Sequence, residues 1–240
     1  MIESSRENVE NVKISDPDPE KKEAWSWKKL SAQQKRTVKY QTLVWILSFV
    51  GLLMIQMERE FWSLSKTYIT KERKDFPKTV LSRFDSVQLF CFSVGMYIAG
   101  TAGDIINQRY LVSGAYVGLA IAVMMAGLAG TQGIWNQGYF FVTFALIGTC
   151  NSLITPTFCA VMGRWFPKKN RGLLVGIWST TNNFGHIIGI QFSAGLMRAY
   201  TPNWGYLMET MAGILLFTAV VIYILLVSDP KYVNIDIAEL

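Results

Sequence analysis

The amino-acid sequence predicts an all-α integral membrane protein with six transmembrane helices, and the distribution of apolar and charged residues leads to this prediction. Hydrophobic residues make up 51% of the 240 positions. The 54 positions between Arg109 and Arg164 hold no charged residue. Further charge-free runs cover 40–57, 86–103, 172–197 and 210–228. Because a spanning helix needs about 20 apolar residues, the longest run holds two helices, separated by the turn-forming stretch "TQGIWNQG" at 131–138.

The first element is a polar arm over residues 1–40. Within it, "AWSWKKL" at 24–30 places two Trp beside two Lys, which is typical of a segment at the membrane interface. A transmembrane bundle is expected over 41–228 and a short tail over 229–240. The six spans are expected near 41–58, 86–104, 110–130, 139–163, 172–197 and 206–227. A short amphipathic stretch is expected between the first two spans, at 59–84.

The distribution of Lys and Arg predicts the orientation in the membrane. With alternating loops, 15 of the 23 basic residues lie on the side of the N-terminus, the 2–3 and 4–5 loops and the C-terminus. That side is expected to face the cytoplasm or an equivalent compartment such as a matrix. The first 30 residues contain many acids and no apolar core, so neither a secretory signal peptide nor an Arg-rich presequence is expected.

Small residues four positions apart favour close packing of helices in lipid, because they let the backbones approach. The pairs are Gly95/Ala99, Gly114/Gly118, Gly172/Gly176 and Gly185/Gly189. The three Cys residues all lie in apolar spans and are expected to be buried small side chains. They are Cys91, Cys150 and Cys159.

The sequence argues against catalysis and against nucleic-acid binding. It contains no paired carboxylates, metal-ligand cluster, nucleophile elbow or phosphate-binding glycine loop. We therefore predict no catalytic residue, metal or cofactor, and a protein that is not an enzyme. The basic residues lie at membrane boundaries without an interleaved aromatic surface, so no nucleic-acid partner is expected.

Two loops carry a family resemblance. The 2–3 junction contains Gly100, Gly103, Asp104 and Arg109, and it resembles the signature loop of the major facilitator superfamily, G-x-x-x-D-R-x-G-R-R/K. The glycines would allow close approach of neighbouring helices, and Asp104 would cap a helix or pair with nearby cations. The Arg that follows the aspartate in the family is Ile105 here, which weakens that interaction.

The 4–5 loop resembles one branch of that superfamily, the organophosphate:phosphate antiporters and sugar-phosphate exchangers. Their pattern W-F-x-x-x-x-R-G-x-x-x-G-x-W stands here as Trp165, Phe166, Arg171 and Gly172, followed by Gly176 and Trp178. The aromatic pair is expected to anchor the end of helix 4, and Pro167 to break that helix. The resemblance covers roughly 40–231 and implies the N-terminal six-helix half of a major facilitator superfamily fold.

The resemblance implies exchange of a phosphorylated small molecule for phosphate, with Arg59 as a phosphate-binding residue. An Arg suits a dianion because its guanidinium donates two parallel hydrogen bonds. The alternative is that Arg59 snorkels or pairs with the flanking Glu58 or Glu60. His186 and Asn182 are the further candidates for substrate binding. His186 is read either as a proton carrier or as a neutral side chain bonded to a neighbouring helix.

The predicted site departs from the family pattern at two positions. Ile55 replaces a Tyr, and Glu209, which we expect to snorkel or to contact protein, stands where the family has an apolar residue. The chain ends 13 residues after Val227, so the second half of the fold is expected to be absent.

We therefore expect an accessory subunit of a larger membrane complex, with a mitochondrial inner-membrane energy-transducing complex as the favoured host and an endomembrane as the other location. The alternative is a half-transporter that pairs with a second six-helix half. The partners are then membrane lipids and either other membrane subunits or that second half.

Overall fold

The computed structural model describes residues 32–166, 168–199, 203–233 and 235, and these residues contain seven α-helices and no strand. Residues 1–31 of the polar arm predicted over 1–40, the predicted break at Pro167 and the last five residues lie outside this part of the chain, and residues 32–40 belong to the first helix. The helices are α1 (Ala32–Glu72), α2 (Lys78–Ile105), α3 (Gln108–Gln132), α4 (Gln137–Trp165), α5 (Lys168–Ser179), α6 (Thr181–Ala199) and α7 (Trp204–Leu225), followed by a 3-10 turn (Pro230–Val233). The predicted all-helical class is confirmed.

Five of these helices are long and apolar enough to cross a membrane, namely α1, α2, α3, α4 and α7. The predicted span at 172–197 is instead divided between α5 and α6 at Thr180. Three consecutive hydroxyl side chains donate to carbonyls of the preceding turn: Ser179 to Val175, Thr180 to Ile177 and Thr181 to Trp178. Such side-chain bonds compete with the regular helix ladder and bend it, so the hydroxyl run explains the interruption.

Helix α1 is longer than the predicted span of 41–58 and continues to Glu72. At 41 residues it extends about 60 Å at 1.5 Å per residue, twice the thickness of a hydrocarbon core. Its second half buries Phe61, Trp62, Ser65 and Ile69, and this helical spacing keeps one face against the bundle. The separate amphipathic stretch predicted over 59–84 is therefore wrong: 59–72 prolong α1, and α2 begins at Lys78.

The bundle is built from three closely packed helix pairs, α1 with α6, α2 with α4, and α3 with α7. A close crossing joins α3 to α7 at glycines that the four-residue pattern did not select. A Cβ on Gly130 would lie 2.7 Å from the Cα of Gly205, and a Cβ on Gly205 would lie 2.7 Å from the carbonyl oxygen of Gly127. These backbones meet because neither helix carries a side chain at the crossing.

The predicted glycine pairs are confirmed only in part. A Cβ on Gly95 would meet Ser152, one on Gly118 would meet Cys150, and the pair at 185 and 189 packs against α1. By contrast, a Cβ at 114, 172 or 176 would meet no atom within 4 Å. The prediction of buried cysteines is also wrong at Cys159, which is exposed on α4, and Cys91 and Cys150 are only half-buried.

Candidate functional site

Arg59 lies in the wall of a polar cavity between α1, α2 and α4. The cavity has a volume of about 180 Å³. It is lined by residues of all three helices, among them Glu58, Trp62, Lys66, Asp85, Gln88, Phe92 and Asn151. The Arg59 guanidinium carbon lies 6.0 Å from the centre of the Phe92 ring, a distance at which a cation is attracted to the face of an aromatic ring.

The second cation of the cavity, Lys66, is bound to a carboxylate. Its Nζ lies 2.7 Å from Oδ2 of Asp85, and Trp62 Nε1 donates a 2.7 Å hydrogen bond to Oδ1 of the same residue. Among the described residues, no carboxylate oxygen lies within ion-pair distance of the Arg59 guanidinium. Arg59 is therefore the cavity cation without an ion pair among the described residues. The predicted local ion pair with Glu58 or Glu60 is not seen at ion-pair distance, although the Arg59 charge attracts the carboxylate of the adjacent Glu58.

Glu58 and Asn151 also line this cavity, and both are buried, with 0% and 1% of their surface exposed. Neither carboxylate oxygen of Glu58 and neither polar atom of the Asn151 amide makes a hydrogen bond of normal geometry to a described residue. Buried polar groups are nearly always bonded, so this pair is unusual.

His186 and Asn182 face a different side of α1. His186 Nδ1 lies 2.6 Å from Oε1 of Glu60, and Gln56 Nε2 donates a 2.7 Å hydrogen bond to Oδ1 of Asn182. The close packing of α6 on α1 permits these contacts, since a Cβ on Gly185 would lie 2.5 Å from the Cβ of Gln56. The structure thus brings two of the three predicted binding residues together on α6, while Arg59 lies in the neighbouring cavity. No hydrogen bond or ion pair among the described residues joins it to them.

The 2–3 signature loop is bound to the end of α7. The Arg109 side chain donates from Nε to the carbonyl oxygen of Tyr223 and from its guanidinium to that of Ile224, at 3.3 Å for the second bond. It therefore caps carbonyl groups that have no partner inside their own helix. Asn107 caps α3 by accepting a 3.1 Å hydrogen bond from the Arg109 amide, and the hydroxyl of Ser228 donates to the same Asn107 oxygen at 2.8 Å.

One expectation for this loop needs revision, and another is not tested. A Cβ on Gly100 or Gly103 would meet no atom within 4 Å, so these glycines do not serve a close helix contact among the described residues. The side chains of Asp104, expected to cap a helix or pair with nearby cations, and of Arg171 lie outside the described part of the structure, so their roles stay predictions.

The 4–5 signature loop is tied to α1 and to the segment after α7. Trp165 is fully buried; its Nε1 donates a 2.8 Å hydrogen bond to the carbonyl oxygen of Val227, and its own carbonyl accepts one of 2.9 Å from Gln41. Arg164 forms a 3.5 Å ion pair with Asp229. Phe166, the first residue after α4, is buried too. Gly172 follows within α5, where a Cβ would meet no atom within 4 Å.

Sequence reasoning missed the cavity pair of Glu58 and Asn151. Glu58 interrupts an apolar stretch, which is a signal for function in a membrane helix, but the sequence suggested only that it is a possible ion-pair partner of Arg59. Asn151 carries no signal in the sequence, because only the packing of α4 against α1 and α2 brings it to the cavity. The expected protein contact of Glu209 is present: it accepts a 2.9 Å hydrogen bond from the Thr131 hydroxyl.

Comparison with known proteins relates the chain to membrane transporters. Residues 44–238 match the family described as Major Facilitator Superfamily. "Putative glycerol-3-phosphate transporter 2" of Arabidopsis thaliana is 29% identical over 206 residues, which cover 82% of this chain and 40% of the relative. "Sugar phosphate exchanger 3" is 27% identical in Bos taurus, over 73% of this chain and 34% of the relative. In Homo sapiens it is 26% identical, over 76% and 36%. The alignments thus span less than half the length of these curated relatives, whose names describe transport rather than catalysis.

Proposed function

The chain belongs to the Major Facilitator Superfamily, and from this premise we propose that its helices form one six-helix half of a carrier for phosphorylated small molecules. The resemblance to glycerol-3-phosphate transporters and sugar phosphate exchangers, inferred from the loops, is confirmed across most of the chain. The second half is supplied by another six-helix unit, either a second copy of this chain, a separate chain or a further part of the same polypeptide.

The free guanidinium of Arg59 is the observation that carries this proposal. It lines a cavity of about 180 Å³ whose other cation, Lys66, is held by Asp85. In a carrier, the substrate phosphate takes the place of the missing counter-ion and accepts two parallel hydrogen bonds from Arg59. A charged hydrogen bond of this kind contributes about 1.5–3 kcal/mol, which corresponds to about ten- to a hundredfold in affinity.

The test is exchange of radiolabelled phosphate in proteoliposomes, using the chain purified with the proteins that co-migrate with it in mild detergent. We expect exchange by the wild-type chain and a loss of about tenfold or more with Arg59→Gln. Arg73→Gln is the matched control: this cation lies outside the cavity, with its guanidinium carbon 4.8 Å from the centre of the Trp135 ring. Equal exchange by Arg59→Gln and Arg73→Gln would contradict the proposed role of Arg59.

An accessory subunit of a larger membrane complex is the second candidate. It is favoured by two side-chain pairs near the cavity. Lys66 is bound to Asp85 and His186 is bound to Glu60, so few polar side chains are left to bind a substrate. Mass spectrometry of the co-migrating proteins separates the two functions. A second six-helix unit supports the carrier, whereas unrelated subunits together with no phosphate exchange support the accessory role. Cell fractionation then tests the proposed mitochondrial inner membrane against an endomembrane.

A further inference from the structure

The buried carboxylate of Glu58 makes no hydrogen bond of normal geometry and no ion pair with a described residue, although the neighbouring carboxylates of Asp85 and Glu60 are both bound. Asp85 accepts hydrogen bonds from Trp62 and Lys66, and Glu60 is bound to His186. Glu58 is fully buried, and neither of its oxygens accepts a hydrogen bond of normal geometry from a described residue. Burying an ionised carboxylate without donors is very unfavourable, so this residue requires a ligand.

The cavity chemistry identifies that ligand as a proton. Arg59 lines the same cavity and its charge repels a metal cation, and the described residues contain no group of three or more His, Cys, Asp or Glu side chains that could hold a metal ion. The Asn151 amide is also buried and unbonded, and its oxygen can accept a hydrogen bond. A protonated Glu58 can donate its O–H to this oxygen while the Asn151 Nδ2 donates to the other Glu58 oxygen, which would satisfy both side chains and remove the buried negative charge.

We propose that Glu58 and Asn151 form a proton-binding site that controls the affinity of the Arg59 cavity for dianions. This inference rests on the proposed function of Arg59. When Glu58 is ionised, its negative charge offsets that of the adjacent guanidinium. When Glu58 takes up a proton, the guanidinium charge is uncompensated and attracts the dianion, so that up to one proton is taken up for each dianion bound. Because linkage is reciprocal, the bound dianion favours protonation by the same factor.

Apart from Arg59, the charged side chains around Glu58 that the structure describes are paired with one another. On α1, Lys66 is held by Asp85 of α2, and α4 contributes the uncharged Asn151 and Gly148 to the cavity. On the opposite side of α1, His186 of α6 is bound to Glu60. Glu58 is therefore the cavity carboxylate whose charge changes without breaking an ion pair seen in the structure.

Sulfate is the probe for the test, because it is a dianion whose own charge is constant near neutral pH. Binding to the purified chain is measured by titration calorimetry between about pH 6 and about pH 8, in buffers of different ionisation enthalpy that report proton uptake. For the wild-type chain we expect uptake of up to one proton per sulfate and an affinity that falls by up to about tenfold per pH unit as pH rises. Glu58→Gln mimics the protonated residue, so it is expected to bind sulfate tightly and independently of pH.

Two further variants make the test decisive. Glu209→Gln changes a carboxylate on α7, away from the cavity, and is expected to keep the wild-type pH profile. Asn151→Ala removes the hydrogen-bonding partner of Glu58 in the proposed site, so it is expected to shift the pH profile even if Glu58→Gln fails to fold. Sulfate binding without proton uptake, or an unchanged profile in Asn151→Ala, would overturn the proton site and leave the proposed carrier function standing. Absence of sulfate binding at every pH would also overturn it, and the phosphate-exchange experiment then decides whether the carrier function falls as well.

Discussion

Asp85 shows how single residues hold α2 against α1 at the cavity. Its two oxygens accept hydrogen bonds of 2.7 Å from the Trp62 indole and the Lys66 ammonium. We expect Asp85→Asn to lower the free energy of unfolding by about 1–2 kcal/mol, because the amide leaves the Lys66 charge without a counter-ion. The side chains of Lys66 and Asp85 are 27% and 31% exposed, and solvent screening limits the effect. Thermal unfolding in detergent, followed by far-ultraviolet circular dichroism, measures it.

A double-mutant cycle isolates the ion pair from the rest of the effect. Lys66→Met and Asp85→Asn, alone and combined, are expected to give a coupling energy of about 0.5–1 kcal/mol. The corresponding cycle at Arg164 and Asp229 is the control, since this pair is longer, at 3.5 Å, and Arg164 is 43% exposed. We expect a smaller coupling there. Equal couplings would mean that the short distance at Asp85 adds nothing to stability.

The sequence indicated which charged residues belong to the candidate site, but it did not indicate which side chains they contact. Arg59 could be selected because it follows an apolar span and because the family places an Arg there. The bond between His186 and Glu60 joins residues 126 positions apart, and Asn151 reaches the cavity only through helix packing. Neither contact follows from spacing, because long-range pairing depends on how three separate helices are arranged.

At the scale of elements, the composition of the sequence predicted that the helices exist, but it did not predict where all of them begin and end. The ends of α3, α4 and α7 lie two residues from those predicted from the apolar runs, whereas α2 begins at Lys78, eight residues before the predicted start. The continuation of α1 to Glu72 was missed because its second half mixes charged and buried residues, so a charge-based criterion ended the span too early. The division at Thr180 was missed because three hydroxyl side chains have little effect on hydropathy, although they alter the local hydrogen bonds.

The α3–α7 crossing yields a prediction about glycine. Gly130→Ala would place a Cβ 2.7 Å from the Gly205 Cα and 2.9 Å from its amide nitrogen. Backbone atoms cannot move aside as a flexible side chain can, so we expect the free energy of unfolding to fall by about 1–3 kcal/mol. Gly114→Ala, on the same helix, is the control, because its Cβ meets no atom within 4 Å. It is expected to be neutral or to stabilise by up to about 1 kcal/mol through helix propensity. Similar unfolding temperatures for the two variants would contradict the close crossing.

At the scale of the whole molecule, the two signature loops share one role: both hold the segment that follows α7. Arg109 binds carbonyl groups at the end of α7, Trp165 binds Val227, and Arg164 binds Asp229. These contacts gather the 2–3 loop, the 4–5 loop and the C-terminal segment at one end of the bundle. At the other end, Phe76 after α1 packs against Trp135 before α4, with ring centres 5.2 Å apart. The bundle therefore has two distinct ends, as an alternating topology requires.

The last prediction concerns which end faces which compartment. The end that holds the signature loops belongs to the side with 15 of the 23 basic residues, so we expect it to face the cytoplasm or matrix. The test uses a chain with Cys91, Cys150 and Cys159 replaced by Ala and one new cysteine introduced at a time. Lys231→Cys and Lys74→Cys are matched, since each removes one exposed lysine, from the C-terminal segment and from the α1–α2 turn. In sealed vesicles of known orientation, a membrane-impermeant maleimide is expected to label Lys231→Cys only from the cytoplasm- or matrix-like side and Lys74→Cys only from the opposite side. The reverse pattern would show that the mixed-charge loop after α1, rather than the larger number of cations, determines the orientation.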